Sequence, residues 1–241
     1  MQSITKSIWY TLGQALDTRA VYLKDICKQF GLPLQGQRYL DIGAGARVNS
    51  LVFGKDFTTT YCIDLNVSKK HALSHTNLVF ALGDAEALPF RDATFDLVSL
   101  FSVIEHVEDK EQALYEAFRV LKPGGAIVVQ IPNRLFPFEL HSGLPNPLLC
   151  PEFIRRPLLR AINYSRLLDV EIPSLKRMRH LIYSAHAPLL INETKIVWPA
   201  AIVSKIFRGP YKMLAWFGVL RLLPLGYVFI CTKLHPQEVS K

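Results

Sequence analysis

The stretch Tyr39-Leu40-Asp41-Ile42-Gly43-Ala44-Gly45-Ala46-Arg47 reads as a short β-strand running into a glycine-containing turn. Glycines at a strand-to-helix turn let a ligand approach backbone N–H groups without Cβ obstruction. The carboxyl ends of parallel strands are where open α/β sheets bind ligands. By itself the turn decides little, because many G-x-G segments are only tight turns.

Its neighbours supply the context. Four more apolar runs of strand length follow, at Thr59–Ile63, Leu78–Leu82, Phe95–Phe101 and Ala126–Ile131. Apart from Thr59–Ile63 they carry little polar interruption, as a parallel sheet covered on both faces requires. Their ends lie about 20 to 30 residues apart, room for a crossover helix or long loop in each interval. The pattern predicts a βαβ series. Upstream, residues 1–30 place Ile4, Ile8, Leu12 and Leu16 four apart, which predicts one or two amphipathic helices along an edge of the sheet. A further helix is predicted over Asp109–Leu121, capped by Asp109, with Gln112 placed to complete a capping box and Leu114, Ala117, Phe118 and Leu121 as its apolar stripe. Lys122-Pro123-Gly124-Gly125 should end it in a tight turn.

After Pro132-Asn133 the texture changes to proline-punctuated apolar and basic segments, with helices predicted near 151–169 and 199–222. An apolar strand, Tyr227–Thr232, then returns to the sheet. The expected organisation is an α/β core with N-terminal helices over 1–133, an elaboration over 134–225 on the substrate side, and a terminal strand and tail over 226–241.

Composition narrows the class. Of 241 residues, 50% are hydrophobic and 20% charged, which excludes a disordered or collagen-like chain. Cys27, Cys62, Cys150 and Cys231 show no C-x-x-C spacing, so neither a zinc knuckle nor a disulfide framework is indicated. Lys6, Asp17, Arg19, Lys24 and Asp25 interrupt the apolar residues of the N-terminus, leaving no signal-peptide core. No uncharged apolar run reaches the roughly 18 to 20 residues that span a bilayer. These features predict a cytoplasmic protein with reduced thiols. Charge is unevenly placed: residues 1–133 hold 13 Lys and Arg against 14 Asp and Glu, whereas 134–241 hold 15 against 6. A net of +9 in the second part points to an anionic partner, which could be a phosphorylated substrate, a phospholipid surface or nucleic acid; the alternative is a basic solvated face. Around 199–222, Lys205, Arg208 and Lys212 share one helical face beside apolar bulk, a combination that suits either the inner face of a membrane or packing on the last strand.

Three further features sit at strand ends. Asp64, with Leu65 beside it, closes the second strand, where an acid can accept hydrogen bonds from ribose hydroxyls. Asp84 and Ala85 follow the third strand, where a carboxylate can accept from an adenine amino group. Phe101 closes the fourth and is placed to line a ring pocket.

The series LDIGAG (40–45), CIDLN (62–66), GDAEALPF (83–90), FDLVSLFSVIEHVED (95–109), LKPGG (121–125) and IVVQIPN (127–133) resembles the class I S-adenosylmethionine-dependent methyltransferases, especially those acting on small molecules. The resemblance covers about residues 38–133. It implies a Rossmann-like, seven-stranded, mostly parallel sheet with an antiparallel last strand, helices on both faces, and S-adenosyl-L-methionine as cofactor. It further implies that Asp41 and the Gly43-Ala44-Gly45 backbone hold the methionine part, Asp64 the ribose, and Asp84-Ala85 the adenine. One departure stands out: the family commonly reads G-x-G-x-G, and Arg47 occupies the third glycine position. Either the loop widens after Gly45, or the arginine turns outward or pairs with the cofactor carboxylate. A nicotinamide dinucleotide is excluded because Val48 stands where G-x-G-x-x-G needs its last glycine.

For methyl transfer, the candidate general base is His106, just beyond the fourth strand, the alternative being a purely structural histidine at a helix start. Glu139 and His141, soon after the fifth strand, are candidate substrate contacts. No metal site is expected. The reading is a methyltransferase for a small lipophilic or anionic acceptor, such as a lipid-linked, isoprenoid or glycan precursor. RNA methylation through the basic region, and a cofactor-free scaffold on the same fold, are the alternatives.

Overall fold

A computed structural model of the chain describes residues 19–45, 48–65, 77–137, 146–161, 170–184, 189–196 and 224–235. Seven strands form one sheet: β1 (Gly36–Ile42), β2 (Phe57–Asp64), β3 (Leu78–Leu82), β4 (Phe95–Phe101), β5 (Leu121–Pro132), β6 (Leu189–Ile196) and β7 (Gly226–Lys233). Their order is β3-β2-β1-β4-β5-β7-β6. The first five pair in parallel, and β7 lies antiparallel between β5 and β6. The expected sheet, mostly parallel with an antiparallel last strand, is present.

Strand side chains alternate between two faces, and each face has its own core. Leu40, Ile42, Val98, Leu100, Ile127 and Val129 point to one cluster, covered by α3 (Lys110–Arg119) and α5 (Leu175–Ser184) through residues such as Leu114, Phe118, Met178 and Ile182. Tyr39, Leu97, Phe101, Val128, Val228 and Ile230 point to the other. There α1, over residues 19–29, contributes Leu23, Ile26 and Cys27, and α2 (Val48–Phe53) contributes Phe53. Helix α4 (Glu152–Ala161) precedes α5 and buries Leu159.

Three local readings change. Helix α3 ends at Arg119, and the Lys122-Pro123-Gly124-Gly125 turn belongs to β5, which pairs from Leu121 onward. The pairing absorbs it as an irregularity: Phe95 faces Leu121 and Leu97 faces Ala126. Gly124, at φ +76°, makes the bend, and a Cβ there would meet His235 Nε2 at 2.5 Å. The capping box is also replaced. Asp109 caps α3 by accepting from Gln112 N at 3.0 Å, but its own N–H donates to the Glu86 carboxylate, and Gln112 Nε2 donates to the Glu86 carbonyl. Finally, β6 and α5 fall within the stretch read as elaboration. Of the helix predicted near 151–169, residues 152–161 are helical; the 199–222 helix lies outside the described residues.

Candidate active site

The strand order turns back at β1 and β4, the position where open α/β sheets leave a crevice. A cleft of about 500 Å3 opens there. Of the residues expected from sequence, Gly43, Asp64, Leu65, Asp84, Ala85 and His106 line it, and the segment after β4 adds Ser102 and Val103. The turn after β1 is pinned to β2: Gly43 N and Ala44 N both donate to the Ile63 carbonyl, at 2.8 and 3.1 Å. Gly43 sits at φ +67°, and a Cβ would lie 2.4 Å from Val103 Cγ2, so glycine is required by both backbone and space. Gly45 N donates to Asp64 Oδ2 at 2.9 Å, so Asp64 shapes the turn as well as facing the cleft. Ala44 and Gly45 frame the turn without entering the cleft wall.

Asp41 is placed differently. It is buried and absent from the wall, and its carboxylate accepts hydrogen bonds from Ser50 Oγ of α2 and, at 2.7 Å, from Ser99 Oγ of β4. Burial pushes its carboxyl up to about 6, against the opposing effect of the hydroxyl donors. Phe101 is likewise not in the wall. Strand parity turns it to the α1 and α2 face, where its ring centroid is 5.1 Å from that of Phe53. Arg47, Glu139 and His141 lie outside the described residues.

The loop after β3 is held by Asp84 and Glu86. Asp84 Oδ1 accepts from Glu86 N at 2.9 Å, while Glu86 Oε1 accepts from Glu108 N and Asp109 N at 2.8 and 3.0 Å. Glu86 therefore fastens the loop after β3 to the start of α3 across the cleft. Glu116 and Arg119 on α3 clamp the same loop further along, with Leu88 N donating to Glu116 and the guanidinium donating to the Leu88 and Phe90 carbonyls.

Ser102 in the cleft wall belongs to a polar group that the sequence reading missed. Arg19 of α1 donates to Ser102 Oγ at 2.9 Å and to Gln130 Oε1, and Ser102 Oγ donates to Gln130 Oε1 at 3.0 Å. Ser102 lines the cleft at φ +58°. The one available signal was Gln130, a polar residue inside the apolar run IVVQIP. Glu105 is buried nearby, and its charge opposes the lowering that burial imposes on Arg19.

His106 is exposed, with its backbone N–H donated to Val103 O at 2.8 Å. It stands at a junction. A second cleft of about 920 Å3 shares His106, Val107 and Glu108 with the first and is otherwise walled by α4, the segment before α5, Arg177 of α5, Lys110 and Arg134. Among the described residues, no group of three His, Cys, Asp or Glu is arranged to hold a metal.

Residues 40–129 match the family model of the methyltransferase domain. A demethylmenaquinone methyltransferase of Streptomyces avermitilis is 39% identical over 98 residues, 39% of this chain and 41% of that protein. A ubiquinone biosynthesis O-methyltransferase of Brucella ovis is 34% identical over 133 residues, 48% of this chain and 52% of that one. The chain thus spans about half the length of the curated relatives it matches. An S-adenosylmethionine-dependent methyltransferase from Mesorhizobium loti shares the fold, with a TM-score of 0.58 at 13% identity over 85% of this chain and 95% of the other.

Proposed function

We propose that this chain, which carries a class I S-adenosylmethionine-dependent methyltransferase domain, transfers a methyl group to a small-molecule acceptor. The observation that carries the reading is the meeting of two clefts at His106: one with carboxylates at the ends of adjacent strands, the other larger and open to a separate molecule. When bound, S-adenosyl-L-methionine would supply an electrophilic methyl group on a sulfonium, with the thioether as leaving group.

The chain's own contribution is positioning. Asp64 is assigned to the ribose hydroxyls, Asp84 and Ala85 to the adenine, Leu65 to the nucleoside wall, and the Gly43–Gly45 backbone to the methionine part. A carboxylate accepts from both the vicinal hydroxyls and an exocyclic amine, so the donor set fits this cofactor. Asp41 acts through another residue, by holding Ser50 and so the start of α2. His106 takes the proton where the acceptor atom has one to lose. Residues 1–133 form the cofactor core. The 134–225 region, with Glu139 and His141 as candidate contacts, serves the acceptor. That assignment is supported by Arg134, α4 and the residues before α5 in the wall of the larger cleft.

The relatives named for quinone biosynthesis support a lipophilic acceptor class, and the basic second half supports an anionic one with peripheral contact at a membrane surface. No described helix is long and apolar enough to cross a membrane. The test is calorimetric titration with S-adenosylhomocysteine, followed by mass spectrometry of a cell extract incubated with the protein and isotopically labelled methyl donor. Binding and one newly labelled small molecule are expected; absence of binding at saturating ligand overturns the proposal. Replacing His106 with Ala should then lower turnover about 100-fold while leaving cofactor affinity within a factor of two. Full activity would remove His106 as the base.

A further inference from the structure

The larger cleft is walled by five cations, Lys110, Arg134, Arg155, Arg156 and Arg177, against the acids Glu108, Glu152 and Glu171. Two of these acids are already engaged. Glu152 pairs with Arg156 at 2.7 Å, and Glu171 takes both Arg177 at 2.5 Å and Lys110 at 3.3 Å. Arg134 and Arg155 make no ion pair with a carboxylate among the described residues. Moreover, Arg155 Nε is buried with no hydrogen-bond acceptor among the described residues. A guanidinium keeps its proton throughout the physiological range, so a buried N–H left in this state favours an acceptor brought into the cleft by a bound molecule. The last acid, Glu108, sits at the junction, in the walls of both clefts beside His106. Positive charge therefore gathers in the larger cleft, outside the cleft that holds the strand-end carboxylates.

We infer that the acceptor bears an oxyanion, a carboxylate or a phosphate, which Arg134 and Arg155 grip while its reacting atom lies toward His106. The fork of a guanidinium matches either group with two parallel hydrogen bonds, and gives orientation along with affinity. This inference rests on the methyltransferase reading of the adjoining cleft, whose histidine would otherwise have no transfer to serve.

The experiment is calorimetric titration of the full chain with inorganic phosphate and with citrate. Each is run with and without S-adenosylhomocysteine, and against sodium chloride at equal ionic strength. Saturable binding of at least one oxyanion is expected, weakened about tenfold or more in Arg155→Gln and in Arg134→Gln, both of which should keep wild-type affinity for S-adenosylhomocysteine. No binding beyond the chloride control, or equal binding by the double variant, overturns the inference even where S-adenosylhomocysteine binds normally. Failure of S-adenosylhomocysteine to bind overturns the methyltransferase reading instead, and the anion titration without it still reads the two arginines. A co-sedimentation arm separates the sources of the anion. Capture on phosphatidylglycerol but not phosphatidylcholine vesicles, lost in the double variant, puts the group on a lipid headgroup; binding of free phosphate or citrate with no such capture puts it on a soluble molecule. Capture that the substitutions leave unchanged counts against the inference.

Discussion

Ser50 and Ser99 hold Asp41 in a place where water does not reach, and the balance of burial against hydroxyl donors leaves its carboxyl near 6 rather than the ordinary 3.8. The sign follows. A raised folded-state value means the native protein holds this proton more tightly, so the stabilisation is complete below about pH 4 and is lost as pH rises through 6. Asp41→Asn cannot ionise. The unfolding free energy of the wild type relative to this variant should fall by about 2 kcal/mol between pH 4 and pH 7 in urea titrations; a constant difference would refute the assignment. Asp64 makes a different prediction because it faces the cleft while holding Gly45 N. Asp64→Ala should weaken S-adenosylhomocysteine binding about 10- to 100-fold, read by calorimetry, and an unchanged affinity would remove it from the ribose site. These two acids look alike in sequence, each near the end of an apolar run. What separates them is the two-residue period of β1, which turns Asp41 away from the cleft. The same period explains Phe101, whose place at a strand end was legible but whose facing was not.

Among the elements, the central parallel strands were readable because burial on both faces demands continuous apolar runs, and β4 coincides with its own; β3 coincides too, although it is the other edge strand and leaves Val79 and Leu82 exposed. Edge strand β6 was not. Its sequence LLINETKI mixes polar residues into a strand with a neighbour on one side only, and Leu190 is 58% exposed. Pro123 and the glycines disguised the first part of β5 as a turn, since nothing local reveals that the chain on both sides pairs with β4. Helix α3 was found, but its fastening by Glu86 spans 22 and 23 residues of sequence and had no local signal. The clamp at its other end is testable. Arg119 donates twice to Glu116 at 2.7 Å, and this pairing holds the Glu116 carboxyl below its usual range. Arg119→Ala leaves a largely buried carboxylate without its cation and removes two carbonyl contacts. The loss should be about 2–3 kcal/mol of unfolding free energy at pH 7 and should shrink in acid as Glu116 takes up its proton. A variant as stable as the wild type would show the clamp to be ornamental.

For the molecule as a whole, the charge asymmetry of the sequence becomes a location. Residues 1–133 are nearly neutral and supply the strand-end acids, whereas Arg134, Arg155, Arg156 and Arg177 from the basic part collect in the neighbouring cleft. The sheet also depends on distant parts of the chain. β7 pairs with both β5 and β6, over seven and eight residue pairs. Removing residues 224–241 should therefore abolish cooperative thermal unfolding monitored by circular dichroism, rather than merely lower the midpoint; a sharp transition in the shortened chain would contradict this. There is a consequence for how the protein is made. A ribosome releases the amino end first, so β1 to β5 can assemble while synthesis continues, but β6 has no described strand to join until the segment ending at Lys233 has emerged. During that interval the free edge of β5 and the waiting β6 are open to pairing with other nascent chains, and a chaperone that shields them would raise yield more than one acting on the finished amino-terminal half.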